Sequence, residues 1–357
     1  MKNSMSDSLP SELPRIAVLL GDPSGVGPEM AVKLLARMAR TQAARLLLVA
    51  DRAVLASGQQ IAGERIDALA VDSIDEIRYE PGRVTLLARD FMQGRAPVLG
   101  ESNEASGRAS MKALELATEL VQRGEADAIL FAPLNKHSLR LGGLTQEDEL
   151  RFLQDRFDVP GFVCEFNITR ALWTSRVTSH VPLKDVAALI TGQSVADAVQ
   201  IIDAALRDAG IARPRIAVSG LNPHAGDAGS IGMEEIEIIG PAVERLKAQG
   251  IDARGPYSPD TVFIGARRGD FDAVVSMYHD QGQIAMKLMG FEEGVTLHGG
   301  LPIPVATSAS GSAFDIAGRG VAKIEGLQHA FDLCVRMSAR KRAGQPLAAT
   351  AKDRAPA

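Results

Sequence analysis

Short apolar runs alternate along the chain with longer segments of helical spacing, the pattern of an α/β fold. Ile16–Leu20, Leu46–Ala50, Ala128–Phe131, Ala171–Thr178, Ile216–Ser219 and Ala273–Met277 read as strands. A helix is expected from the Gly21–Glu29 loop through Met38. The runs end at polar or special residues: the Gly21–Glu29 loop, Asp51, Asn135 with Lys136, His180, Asn222 with His224, and His279 with Asp280. Open α/β sheets bind ligands outside the carboxyl ends of their strands, so these residues are placed to converge. No internal repeat, heptad pattern or low-complexity linker is evident.

Composition narrows the function classes. At 357 residues the chain is long enough for two lobes. Aromatics at 4% and a net charge of −5 without a basic block argue against a nucleic-acid partner. No apolar run approaches the ~20 residues needed to cross a bilayer, and the polar Met1–Arg15 segment lacks a signal-peptide core. Cys164 and Cys334 cannot build a disulfide framework, which fits a cytoplasmic protein. The ends, residues 1–14 and 346–357, are expected to be frayed.

Three of the six histidines, His180, His224 and His279, each follow an apolar run. Three imidazoles with an open position suit a catalytic divalent metal, zinc above all, although each alone can simply cap a strand end. His137, His298 and His329 lack that context and read as structural or solvent-exposed. The glycines of Gly21–Glu29 admit two readings: amides that receive an anion, or a tight strand-to-helix turn. In Ser310–Gly320, small residues such as Gly311 and Gly318 let a flat ligand approach, while Asp315 and Arg319 can read ribose or phosphate. A plain glycine-rich turn is the alternative there. Lys136 and Lys287 can orient an anionic group or donate a proton, or can be solvated surface residues. Asp260 can orient a ligand histidine or cap its own turn.

Together these segments resemble the 4-hydroxythreonine-4-phosphate dehydrogenase family from about Ile16 to about Arg340. The resemblance rests on Gly21–Glu29, Thr178-Ser179-His180-Val181-Pro182-Leu183, Gly220-Leu221-Asn222-Pro223-His224-Ala225-Gly226, Met277-Tyr278-His279-Asp280-Gln281-Gly282 and Ala317-Gly318-Arg319-Gly320, in this order. It implies metal ligands at His180, His224 and His279, and a substrate lysine at Lys287. It also implies a nicotinamide site, NAD or NADP, along Gly311, Asp315, Gly318 and Arg319. The Asp315 segment is further similar to isocitrate and isopropylmalate dehydrogenases. That likeness implies a two-lobed α/β fold with the active site between lobes, and a homodimer. The lobes expected are 15–144 with 305–345, and 145–304. The first carries most of the cofactor site; the second carries the metal ligands and dimer contacts.

The substrate side departs from the family pattern. Where the family has Gly-His-Thr-Glu, this chain reads Gln146-Glu147-Asp148-Glu149-Leu150, with the match near Glu149. A substrate-contacting Asn and Arg align with Thr296 and Val305, and a His with Ser310. Substrate contacts are therefore expected from Lys136, Glu149, Lys287 and Thr296, and the loss of cations disfavours the family's phosphorylated substrate. The chemistry implied is metal-assisted oxidation of a small hydroxy-acid with hydride transfer to nicotinamide. Carbon dioxide is lost where a carboxylate lies β to the new ketone. Zinc, magnesium, manganese or cobalt would serve as the metal. Alternatives within the family are a cis-dihydrodiol carboxylate of the terephthalate type or a sugar-acid phosphate as substrate. Outside it stand a three-histidine hydrolase or lyase and a catalytically silent binding protein.

Overall fold

The computed structural model describes residues 13–169, 172–290 and 293–344. Residues 1–12 and 345–357, which hold most of the expected frayed ends, and Ala171 lie outside them.

One sheet of twelve strands organises the chain. In sequence order they are β1 (Arg15–Leu19), β2 (Arg45–Asp51), β3 (Ala68–Val71), β4 (Val84–Arg89), β5 (Ala128–Phe131), β6 (Cys164–Ile168), β7 (Trp173–Arg176), β8 (Arg215–Ser219), β9 (Asp252–Tyr257), β10 (Ala273–Ser276), β11 (Val295–Gly299) and β12 (Val305–Ser308). In space they run β3-β4-β2-β1-β5-β12-β11-β6-β7-β10-β8-β9. The outer pairs are parallel; β11 is antiparallel to β12 and to β6, and β6 to β7. Every strand run read from the sequence overlaps one of these strands. The strongest, Ile16–Leu19 and Leu46–Ala50, are buried throughout, as parallel strands covered on both faces must be.

The helices are α1 (Gly27–Thr41), α2 (Arg52–Ala62), α3 (Glu104–Gln122), α4 (Lys136–Leu141), α5 (Glu149–Arg156), α6 (Leu183–Leu189), α7 (Gly192–Asp208), α8 (Gly240–Ala248), α9 (Val262–Arg267), α10 (His279–Leu288) and α11 (Glu325–Arg342). Their starts follow capping chemistry. Asp51, Asn103, Asn135 and Asp148 accept backbone N–H groups at the heads of α2, α3, α4 and α5, and Thr191 with Ser194 closes a capping box on α7. Among the described residues no helix is long and apolar enough to cross a membrane.

A short internal correspondence emerges that the linear sequence does not advertise. Arg15-Ile16-Ala17-Val18 forms β1 and Arg215-Ile216-Ala217-Val218 forms β8. Asp127, just before β5, accepts from the backbone N–H of Arg15 at 2.7 Å and from its guanidinium at 3.2 Å. Asp272, just before β10, accepts from Arg215 in the same way at 2.8 and 2.9 Å. Both halves of the sheet thus start a parallel pair with one Arg–Asp clamp, a local likeness too short to be a sequence repeat. Its brevity, four residues and a distant Asp, hid it.

Asp127 also receives Arg342 from the end of α11. Burial alone would raise its carboxyl, but hydrogen bonds from Arg15 and Arg342 outweigh that and hold it below the ordinary range. A depressed carboxyl adds stability that is present above the unfolded value and lost as pH falls through the folded one. Asp127→Asn should therefore cost about 1–2 kcal/mol between pH 5 and 8. The deficit should shrink below about pH 4, near the unfolded carboxyl value. Urea melts at several pH values measure this; a deficit that persists at pH 2 would show that the charge is not its source.

Candidate functional site

The predicted residues follow the carboxyl ends of β5, β7, β8 and β10, and helix caps fix several of them. The turn after β5 places Asn135, whose side chain caps α4 by accepting Ser138 N–H, and so fixes Lys136 as the first helical residue. Asp148 likewise caps α5 and fixes Glu149. Lys136 Nζ lies 3.7 Å from Asp148 Oδ2, which joins the two helix heads.

His180, after β7, and His279, opening α10, have ring centroids 5.8 Å apart. His180 Nδ1 is 2.6 Å from Glu147 Oε1, and His279 Nδ1 is 2.7 Å from Asp280 Oδ1. A carboxylate on Nδ1 leaves Nε2 as the basic nitrogen, the arrangement by which metal-ligating histidines are oriented. The donor set therefore fits a divalent cation. His224 sits in a turn, residues 223–229, in which His224, Ala225, Asp227 and Ala228 all have positive φ. Among the described residues, two sets of three ligand atoms lie within 4.8 Å of one another: Glu147, Asp148 and His180, and Glu149, Glu165 and His298. His224 and His279 belong to neither.

Asp260 does not orient a histidine by a hydrogen bond. Its Oδ1 accepts the Ser258 hydroxyl at 2.6 Å, which holds the carboxyl below its ordinary range with a smaller contribution from the charge of His224. The orienting carboxylates are Glu147 and Asp280. Lys287 is exposed on α10, two turns beyond His279.

The glycine-rich loops pack against each other. Val26 N–H donates to Ser312 O at 3.0 Å, and Asn135 Nδ2 lies 3.3 Å from Ser312 Oγ. A Cβ on Gly21, Gly25 or Gly27 would come within 2.6 Å of a carbonyl oxygen, so close packing explains these glycines. The N–H groups of Asp22, Ser24, Gly25 and Val26 all find acceptors within the protein, so these four are not available to an anion. Gly311, Asp315, Gly318 and Arg319 are instead exposed, and a Cβ on Gly311 would meet nothing within 4 Å. That leaves a face open to a flat ligand.

The sequence reading passed over a buried polar row. Residues alternate faces along a strand, and the register aligns Thr296 with Asn167 and His298 with Glu165, while Asn167 pairs with Thr174, two residues before Arg176. Asn167, Arg176 and His298 are buried and Glu165 nearly so. Arg176 donates to Glu165 Oε2 at 2.8 Å, Asn167 Oδ1 at 2.9 Å and Ser179 Oγ at 3.0 Å. This ties the row to the His180 loop. Asn167 Oδ1 also accepts Gln283 of α10. Burial pushes the Glu149 carboxyl up; for Glu165, the charges of His298 and Arg176 overcome burial and hold it down. His298, read as structural or exposed, is 2% exposed with both ring nitrogens unpartnered. The signal available was the alternation Cys164-Glu165-Phe166-Asn167 and Val295-Thr296-Leu297-His298, with its polar set buried rather than solvated. His137 is exposed and His329 binds Glu293 O, as expected for surface and structural roles.

Known proteins resemble this chain over most of its length. Residues 42–334 match the family described as Pyridoxal phosphate biosynthetic protein PdxA. A Pseudomonas aeruginosa protein provisionally named 4-hydroxythreonine-4-phosphate dehydrogenase 2 is 48% identical over 332 residues, covering 92% of this chain and 98% of its own. The D-threonate 4-phosphate dehydrogenase of Salmonella typhimurium is 35% identical, covering 92% of this chain and 100% of its own. A solved 4-hydroxythreonine-4-phosphate dehydrogenase from Burkholderia phymatum superposes with a TM-score of 0.76 at 36% identity, over 91% of this chain and 98% of its own. With a family match over residues 42–334 and relatives covered across nearly their full length, this chain belongs to the PdxA family, that of the 4-hydroxythreonine-4-phosphate dehydrogenases.

Proposed function

We propose that the protein is a metal-dependent NAD(P) dehydrogenase that oxidises a hydroxyl of a small hydroxy-acid, with decarboxylation where the product is a β-keto acid. The observation that carries this reading is the pair His180 and His279, each with Nδ1 on a carboxylate and the two rings adjacent. His180, His224 and His279 would hold the cation, and Gly311, Asp315, Gly318 and Arg319 the nucleotide. When bound, the cation supplies charge that eases deprotonation of the substrate hydroxyl, and the nicotinamide supplies the hydride acceptor. Lys136, Glu149 and Thr296 orient the substrate, and Lys287, exposed on α10, binds its acid group or holds a proton. Asp260 contributes negative charge near His224.

The lobes are residues 15–144 with 305–345, and 145–304; the sheet order supports this, since β11 and β12 meet at the junction. Exposed Leu183, Ile231, Met233, Ile236, Ile284 and Leu288 all fall in 145–304 and support a homodimer through that lobe.

The test is NADH or NADPH formation by metal-loaded protein over 4-phosphohydroxythreonine, phosphorylated four-carbon sugar acids and aromatic carboxylate cis-diols. Turnover lost in His224→Ala supports the proposal. Turnover unaffected by His224→Ala, or by removal of metal with a chelator, sinks metal dependence.

A further inference from the structure

We infer that the buried row of β6, β7 and β11, closed by Glu149, selects an unphosphorylated, hydroxyl-bearing end of the substrate. The inference rests on the dehydrogenase reading above and adds the substrate class.

Ligand atoms of Glu149, Glu165 and His298 lie within 4.8 Å of one another, yet neither glutamate comes within the 4.0 Å of an ion pair with His298. Glu149 Oε2 and both nitrogens of His298 are buried without a hydrogen-bond partner. Unmet buried polar groups are costly, and with one ligand atom each from His298, Glu149 and Glu165 gathered within 4.8 Å, the unpartnered ones mark a place for a guest. A first-row cation with bonds of about 2.1 Å sets neighbouring ligands about 3–3.5 Å apart. A hydroxyl oxygen hydrogen-bonded at about 2.8 Å to two groups sets them about 4.6 Å apart. A gap between His298 and each glutamate above 4.0 Å, with ligand atoms within 4.8 Å, suits the hydroxyl, which can donate to a glutamate while accepting from His298.

A phosphate would fare poorly here. It offers acceptors alone and would face two carboxylates. The buried cation beside it, Arg176, is already engaged by Glu165 and Asn167, and Lys136 lies half-exposed at the head of α4, 3.7 Å from Asp148. The register that pairs Leu297 with Ala306 sets Val305 opposite His298, so the adjoining strand brings an apolar side chain beside it. A buried phosphate without a free cation is strongly disfavoured.

The experiment is calorimetric binding of D-threonate and D-threonate 4-phosphate, the same carbon frame with and without phosphate, to the full chain with manganese(II) present. Wild type is expected to favour D-threonate at least about tenfold, one factor of ten in affinity. Glu149→Gln, which keeps the shape and removes the charge, should erase most of that preference. His298→Gln gives a second reading should Glu149→Gln fold poorly, and should weaken D-threonate specifically. Equal or tighter binding of the phosphorylated compound by wild type, binding of neither, or a preference untouched in both variants overturns the inference. NAD(P) reduction is followed in parallel. Retained selectivity without turnover would sink the dehydrogenase reading and leave the selectivity of the row standing.

Discussion

His180→Ala should lower kcat/KM by about three orders of magnitude, the several kcal/mol that a correctly held cation contributes to oxygen activation. His180 is 37% exposed in its side chain, so its truncation leaves no core cavity and the fold should be kept. Glu147→Gln provides the graded control. Glu147 touches the ring at 2.6 Å, and loss of such an orienting carboxylate costs about 10–100-fold in metal affinity or activity. Excess metal should therefore restore Glu147→Gln and leave His180→Ala inactive. Metal content measured on purified protein, together with rates at low and high metal, separates the two. Full activity in His180→Ala would remove His180 from the ligand set.

Gly107→Ala should be the most damaging small substitution in the molecule. Gly107 lies on α3 where it crosses α4, and a Cβ there would fall 1.7 Å from the Ser138 carbonyl oxygen, with backbone on every near side. Backbone cannot rotate away as a side chain can, so the helices must separate, at a cost of at least about 3 kcal/mol. Because α4 begins at Lys136, activity should fall along with stability. Gly124→Ala is the control: its φ is +73° but nothing lies within 4 Å, so it should cost only about 1 kcal/mol. Thermal melts of the two variants decide it, and equal melting temperatures would mean that the α3–α4 crossing yields easily.

Legibility in the sequence followed burial. Strands such as β1, β2, β8 and β10 are apolar runs and could be read directly. The histidines at their ends were legible for the same reason, because the runs point at them. Strands β6 and β11 carry Glu165, Asn167, Thr296 and His298, and residues of those types normally mean a solvated face. Here the face is buried, so the cue that identifies a strand elsewhere disguised these two. The orienting role of Glu147 could not be seen because it spans 33 residues to His180. Asp260 looked suitable by turn chemistry, yet Ser258 takes it up locally. The glycines of Gly21–Glu29 had two explanations, and the carbonyls that crowd Gly21, Gly25 and Gly27, which support the packing one, could not be seen in the sequence.

The place of β12 sets an order on biosynthesis. Strand β5 is flanked by β1 on one side and by β12 on the other, and Ile129 finds its second partner only in Val305. Translation must therefore run through the whole intervening half before the first half has both neighbours of its central strand. Until then the nascent chain carries β5 as an open, fully apolar flank, the kind of edge that recruits other chains. Polypeptides released between residues 135 and 300 should accumulate as aggregates, so the synthesis of β12 determines whether the strands around β5 stay in solution.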